Sequence, residues 1–237
     1  MKTYKKNFDL LKKNNVYSED MEHDACGVGL IASTEGKKSR NVVEYGIEAL
    51  KAVWHRGAVD ADGKTGDGAG IHVEIPKDFF IEKIEVTGHT HDSSDICVGM
   101  IFLPRNDYAA QESCKTIVES ELTKNDFNIY GWRQVPVNPK VLGEKAFQTM
   151  PEIIQVLFKS HNKELTNKDL ERKIYETRRK IENEAFKKSL NNFYICSLSS
   201  KSIIYKGMFL AEAISELSCV CPVTSIFSIK KSFGIST

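Results

Sequence analysis

The sequence of 237 residues lacks the features that mark several classes of protein. Lysine and arginine (33) nearly balance aspartate and glutamate (32), so the net charge of +1 gives no electrostatic reason to expect nucleic acid or an anionic membrane as a partner. No stretch approaches the ~20 consecutive apolar residues that a membrane-spanning helix needs. The cationic N-terminus is followed by no apolar run, so we expect no secretory signal.

Cysteine is also too scattered to build a disulfide framework or a paired zinc motif. The six cysteines stand at positions 26, 97, 114, 196, 219 and 221. We therefore expect a reducing, cytoplasmic compartment. We also expect no metal site, because the crowded polar residues of one loop lack ligand spacing and indicate a solvated surface: His89, His91, Asp92 and Asp95.

Local patterns predict a mixture of strands and helices. Short apolar or alternating runs predict strands at 26–32, 71–76, 98–104, 130–137, 193–198 and 202–206. The last two flank a Ser-Ser-Lys turn and predict a hairpin, and Pro136 predicts an edge position for the strand at 130–137. Apolar residues at helical spacing predict helices at 42–54, 109–122 and 167–188. The apolar stripe of the first comprises Val43, Ile47, Leu50 and Trp54.

Cys26 is the candidate nucleophile. A free cysteine on a buried strand is most often a small core residue. Three features favour a reactive thiol here: Ala25 is small, the glycines at 27 and 29 leave space, and the polar segment 1–25 could be removed. Its removal, through attack of the thiol on the Ala25 carbonyl, would leave an α-amine on Cys26. That amine titrates near pH ~8 and can serve as the base for its own thiol, so no histidine partner is required.

Five motifs in order carry a resemblance to a known family. They are HDACGVG at 23–29, WHRGA at 54–58, TGDGAGI at 65–71, GWRQVPV at 131–137 and YICSLS at 194–199. Together they resemble the N-terminal part of the glutamate synthase large subunit, over about residues 21–210.

The resemblance implies a class II glutamine amidotransferase domain. Its fold is that of the N-terminal nucleophile hydrolases, an α+β four-layer α/β/β/α sandwich. Residues 1–25 are then a propeptide and 26–237 the amidotransferase domain, which hydrolyses L-glutamine through a thioester on Cys26. The ammonia passes to a synthase domain that uses FMN, an iron–sulfur cluster and 2-oxoglutarate, with electrons from a further subunit or ferredoxin. We expect neither cofactor within this chain.

Two further residues are candidates for substrate binding. By resemblance, Arg56 lies beside the nucleophile and holds that end of the site; alternatively it and His55 complement the dipole at a helix end. The two interpretations stay open for Arg56, and the helix-end interpretation is favoured for His55. The glycine-rich loop 65–70 lacks the order of a phosphate-binding loop. We expect it to border the glutamine pocket, with Asp67 as a polar contact, or else to be a tight connection into the next strand.

The C-terminal residues depart from the family pattern. Residues 225–237 read SIFSIKKSFGIST, with Ser232 near the place of a family arginine that binds the substrate carboxylate, and no Asn-Gly follows. We therefore expect a fold that is incomplete at the C-terminus and a poor glutaminase, since loss of one oxyanion donor alone slows such reactions about 10²–10³-fold. The alternative function is a catalytically inactive remnant of the domain.

Overall fold

A computed structural model of the chain describes residues 2–14, 27–36, 39–54, 57–86, 88–89 and 96–215. The α-helices within these residues are α1 (Lys2–Lys13), α2 (Arg40–Ala52), α3 (Lys77–Glu85), α4 (Tyr108–Lys124), α5 (Glu144–Gln148) and α6 (Asn167–Lys187). The β-strands are β1 (Ala69–Glu74), β2 (Cys97–Leu103), β3 (Phe127–Gln134), β4 (Glu152–Ser160), β5 (Tyr194–Ser199) and β6 (Ser202–Gly207). Short 3₁₀ helices cover Pro139–Val141 and Ala211–Ser215.

The strands form two antiparallel sheets. One has four strands in the order β3-β4-β2-β5, and the other pairs β1 with β6 so that Ile71 lies opposite Tyr205. β2 and β4 occupy the middle of the larger sheet, and their interior positions are almost all buried, as expected for strands covered on both faces.

Two apolar cores separate the layers. The outer core lies between the four-stranded sheet and the helices α4 and α6, with Phe127 and Phe158 in edge-to-face contact at 5.3 Å between centroids. The inner core joins the opposite face of that sheet to β1, β6, α2 and α3. The order of layers is therefore helix, sheet, sheet, helix, and the α+β layered fold implied by the resemblance is confirmed.

The three predicted helices are confirmed to within two residues, and each begins with a side-chain cap. Ser39 accepts a hydrogen bond from the Asn41 N–H, Asp107 from Ala110, and Thr166 from Asp169. Such caps satisfy backbone donors that have no partner inside the helix. The sequence therefore encodes these helix starts locally.

Two local predictions are wrong. Residues 27–32 form no strand, and the side chains of Val28 and Leu30 are 59% and 61% exposed. A strand needs a hydrogen-bonded neighbour as well as apolar residues, and no described strand pairs with this segment. Trp54 is 60% exposed because α2 ends at Ala52, before the helical stripe reaches it.

The predicted hairpin at 193–206 is also wrong. Both strands exist, but β5 pairs with β2 in the larger sheet while β6 pairs with β1 in the smaller one. The connection between them crosses from one sheet to the other. Glu171 on α6 stabilises this crossing, because its carboxylate accepts hydrogen bonds from Ser199 and Ser200.

Four of the α-helices and β-strands were not predicted from the sequence: α1, α3, α5 and the central strand β4. The predicted edge position of the strand at 130–137 is confirmed by β3. Among the described residues, no helix combines the length and the apolar character needed to cross a membrane.

Candidate active site

The loop 57–68 joins α2 to β1 and is closed by its own backbone. Val59 and Gly66 form an antiparallel bridge. Within it, the Asp60 N–H donates to the Thr65 carbonyl at 2.8 Å and the Gly63 N–H donates to the Asp60 carbonyl at 2.9 Å. The glycine-rich segment is therefore an ordered loop with defined turns.

Asp67 closes the base of this loop. Its Oδ2 accepts the Ala58 N–H at 2.8 Å, and its own N–H donates to the Ala58 carbonyl at 3.3 Å. Asp67 is nevertheless exposed at the surface of the loop. A contact between Asp67 and a substrate stays a prediction.

Asp62 organises the tip of the loop. Its carboxylate accepts hydrogen bonds from the Thr65 hydroxyl at 2.6 Å, the Thr65 N–H at 2.7 Å and the Lys64 N–H at 2.9 Å. These donors favour the ionised form and hold the pKa of Asp62 well below its usual range. Thr65 is only 3% exposed, so the tip is anchored on its inner side.

Gly66 brings the loop against the segment that follows β6. A Cβ atom at this position would lie 3.0 Å from the Phe209 carbonyl oxygen and 3.0 Å from Leu210 Cδ2. A larger residue would therefore require the segment 209–210 to shift by about a few tenths of an ångström.

A cavity of about 200 Å³ lies between the end of α2, the loop 57–68 and the segment 209–212. It is smaller than the ~300–1,000 Å³ typical of pockets for drug-sized ligands, so its size suits a small metabolite. Its lining includes Trp54, Gly57, Ala58, Asp67, Phe209 and Glu212. The lining thus combines glycine and apolar residues with two acidic residues.

The two other predicted site residues, Cys26 and Arg56, lie outside the described residues, as does His55. Their neighbours along the chain are described. Gly27, next to the candidate nucleophile, is buried, and Gly57, next to Arg56, lines the cavity. The structure therefore locates the cavity beside the second motif, while the roles of Cys26 and Arg56 stay predictions.

The three described cysteines are unsuited to nucleophilic chemistry. Cys97 and Cys114 are buried in the outer core and Cys196 in the inner core. Burial raises the pKa of the Cys114 thiol to about 11, helped by the nearby Asp107 charge, and burial raises the pKa of Cys196 to about 11 as well. Since the thiolate is the nucleophile, these thiols are nearly inert at neutral pH.

The polar loop considered for metal binding is only partly described. His89 is exposed and meets the Tyr130 ring edge-on at 5.9 Å between centroids, whereas His91, Asp92 and Asp95 lie outside the described residues. Across the described part of the chain, no group of three or more histidine, cysteine or acidic side chains could hold a metal ion.

A hydrogen-bonded network on the loop was not predicted. Besides the bonds of Asp62 and Thr65, the Lys145 ammonium pairs with Asp60 at 2.8 Å. The residues 62–65 read DGKT, a composition typical of a side-chain-stabilised turn, so the turn itself could have been inferred. The contact with α5, about eighty residues later, leaves no local pattern in the sequence.

Comparisons with known proteins agree with these features. The family model described as class-II glutamine amidotransferases matches residues 26–218. The NADPH glutamate synthase large chain of Azospirillum brasilense is 53% identical over 212 residues, which cover 90% of this chain and 14% of that one. Ferredoxin-dependent glutamate synthase 1 of Arabidopsis thaliana is 40% identical over 195 residues, covering 81% and 12%. The chain thus spans only a small part of the length of these relatives.

Proposed function

Since the chain belongs to the class II glutamine amidotransferase family, we propose that it is the glutaminase domain of a glutamate synthase. The observation that carries this proposal is the family match from Cys26 to residue 218, together with an ordered cavity beside the WHRGA and TGDGAGI motifs. The relatives are named as glutamate synthases that depend on NADPH or on ferredoxin, and both kinds contain a region similar to this chain.

The proposed reaction is hydrolysis of L-glutamine to glutamate and ammonia. After removal of residues 1–25, the α-amine of Cys26 takes the thiol proton and the sulfur attacks the side-chain amide carbon of glutamine. A carbon–sulfur bond forms, the carbon–nitrogen bond breaks, and ammonia leaves with the proton held by the amine. Water then hydrolyses the thioester and releases glutamate, while the thiol recovers its proton. Splitting a difficult displacement into two steps is the benefit of a covalent nucleophile.

In this proposal the cavity binds the glutamine substrate. Its two carboxylates, on Asp67 and Glu212, suit the ammonium group of an amino acid, and Arg56 would hold the end of the site next to the nucleophile. The three described cysteines are buried, two of them with raised thiol pKa values, so they do not fit the proposed chemistry. Of the other three, Cys26 is the one that lies within the family match of residues 26–218, which favours it as the nucleophile.

The synthase reaction belongs, in this proposal, to another part of the complete enzyme. There ammonia would combine with 2-oxoglutarate, with electrons from a further subunit or ferredoxin. An iron–sulfur cluster needs several cysteine thiolates close together. The described cysteines are divided between two cores, and the described residues contain no three-ligand group, so they do not fit the cluster.

Covalent labelling tests the proposed function. Purified chain is treated with a diazo-ketone analogue of glutamine, and the modified residue is identified by peptide mass mapping. We expect labelling of Cys26, protection by L-glutamine, and no labelling in Cys26→Ala. Labelling that L-glutamine does not slow, or labelling of another cysteine, would exclude Cys26 as the glutaminase nucleophile.

The alternative, an inactive remnant, predicts a different result in the same experiment. Cys26 would then react no faster with the glutamine analogue than with a thiol reagent of similar size that carries no amino-acid group. Ammonia release from L-glutamine, measured on the same preparation, separates the two functions directly.

A further inference from the structure

The turn that opens α5 packs tightly on the tip of the loop 57–68. Gly143 is buried, and a Cβ atom at this position would lie 2.2 Å from Asp62 Oδ2, 2.2 Å from Thr65 Oγ1 and 2.5 Å from the Thr65 backbone nitrogen. Its backbone angles, φ −71° and ψ 167°, are accessible to any residue. Glycine is therefore required here by the contact with the loop and not by the backbone conformation.

The loop in turn completes α5. Gly143 occupies the N-cap position and has no side chain to accept a hydrogen bond from the first turn of the helix. The Thr65 hydroxyl takes over this role, because it accepts the Ala146 N–H at 3.4 Å while it donates to Asp62. Backbone donors at a helix start need such a partner. A residue of the loop thus caps a helix about eighty residues later in the chain.

An ion pair adds a second connection at the surface. The Lys145 ammonium lies 2.8 Å from Asp60 Oδ2, and both side chains are partly exposed. The pKa of Asp60 is lowered, first by the hydrogen bond from Lys145. The contacts of Gly143, Thr65 and Lys145 together join the outer side of the loop to α5. Only three residues separate the end of α5 from the central strand β4.

From this arrangement we propose that Gly143, Thr65 and Asp62 are positioning residues for the amino-acid substrate. The inference rests on the proposed glutaminase function. The loop carries Asp67 at its base and presses Gly66 on the segment 209–210, so both walls of the cavity depend on where the loop lies. The contact with α5 fixes the outer side of the same loop. Loosening that contact changes the binding of substrate while leaving the nucleophile itself unaltered.

The test compares substitutions on the two sides of the contact in the full chain. Gly143→Ala separates the turn from the loop, Thr65→Val removes the capping hydroxyl at nearly constant volume, and Lys145→Ala removes only the surface ion pair. Gln148→Ala, on the exposed side of the same helix, is the matched control. If Gly143→Ala fails to fold, Lys145→Ala and Thr65→Val still decide the outcome.

Two measurements are made on each variant. Hydrogen exchange reports protection of the amides of residues 60–66, and the concentration dependence of inactivation by the diazo-ketone analogue separates its binding constant KI from the rate constant kinact. We expect Gly143→Ala and Thr65→Val to lower loop protection and to raise KI about two- to tenfold, the range produced by losing one hydrogen bond. We expect Lys145→Ala to give a smaller change of the same sign, kinact to stay within about twofold, and Gln148→Ala to match the unaltered chain.

The outcomes distinguish this inference from the proposed function. An unaltered chain that is not labelled at Cys26 contradicts the glutaminase function, and with it the substrate role of the contact. A labelled chain whose KI is the same in all variants, or whose kinact falls while KI is constant, contradicts the positioning role alone. Unchanged loop protection in Gly143→Ala also overturns it.

Discussion

Replacement of Glu171 by alanine should destabilise the crossing between the two sheets. The Glu171 carboxylate accepts the Ser200 N–H at 2.7 Å, the Ser200 hydroxyl at 2.6 Å and the Ser199 hydroxyl at 3.0 Å. The same Ser199 oxygen accepts the N–H groups of Lys201 at 2.9 Å and Ser202 at 3.2 Å. The turn between β5 and β6 is therefore held mainly through one side chain of α6.

The expected loss of stability depends on the donors of Ser199 and Ser200 that the substitution leaves without a partner. A hydrogen bond to a charged acceptor contributes about 1.5–3 kcal/mol when buried, and water can reach part of this site, so we expect a total loss of about 2–3 kcal/mol for Glu171→Ala. For a chain of this length that corresponds to a decrease in Tm of roughly 4–12 °C. Ser200→Ala should reduce the free energy of unfolding by less, because the backbone N–H at position 200 still donates to Glu171.

Urea unfolding tests this expectation on the unaltered chain, the single variants Glu171→Ala and Ser200→Ala, and the double variant. Glu176→Ala, at an exposed position of the same helix, is the control and should change stability by no more than about 0.5 kcal/mol. The double-variant cycle should give a coupling between Glu171 and Ser200 of about 0.5–3 kcal/mol. A Glu171→Ala value equal to that of the control would refute the assignment of the crossing to this carboxylate.

Three other predictions concern the loop and the thiols. The donors around Asp62 hold its pKa low, so its ionised form stabilises the loop at pH values above the unfolded-state pKa of about 4. Protection of the loop amides against hydrogen exchange should therefore fall as the pH drops below about 4, and Asp62→Asn should flatten this pH dependence. With pKa values of about 11, roughly one Cys114 or Cys196 thiol in 10⁴ is ionised at pH 7, so iodoacetamide should modify both only after denaturation; modification of the native chain would contradict their burial. Gly66→Ala should reduce stability by about 1–3 kcal/mol in urea unfolding, because its Cβ crowds the Phe209 carbonyl; no loss would mean that the two segments can separate freely.

Helices with a regular apolar stripe and a capping residue could be predicted from the sequence alone. For α6, the cap at Thr166 and the buried positions Ile174, Ile181 and Ala185 are all local features. The same holds for β2, a short continuous apolar run. These elements are specified by neighbours in the chain, which is why pattern and structure agree.

The strand β4 was missed because a polar residue interrupts its apolar run. Gln155 is fully buried, and its side-chain oxygen accepts a hydrogen bond from Arg133 on the neighbouring strand at 2.8 Å. Arg133 satisfies the oxygen of this buried amide, while the amide nitrogen has no partner among the described residues. Arg133 is 22 residues away, so the sequence pattern of the strand alone does not reveal the contact. Long-range pairing explains the error at β5 and β6 in the same way.

The candidate site was predicted from five motifs in order along the chain. The loop around Asp67 borders a cavity, while its contact with glutamine stays a prediction. The contact of that loop with Gly143 could not be inferred, because a glycine before a short helix has many ordinary explanations. Contacts between residues distant in the chain are what the structure adds to the motifs.

The proposed mechanism requires that the α-amine of Cys26 is liberated and acts as the base for its own thiol. N-terminal sequencing and intact mass of the protein isolated from its native host test this most directly. We expect a chain that begins with Cys26 and whose reaction with the glutamine analogue shows an apparent pKa near ~8, the value of an α-amine. A mature protein that retains Met1 and residues 2–25 while hydrolysing glutamine would contradict it.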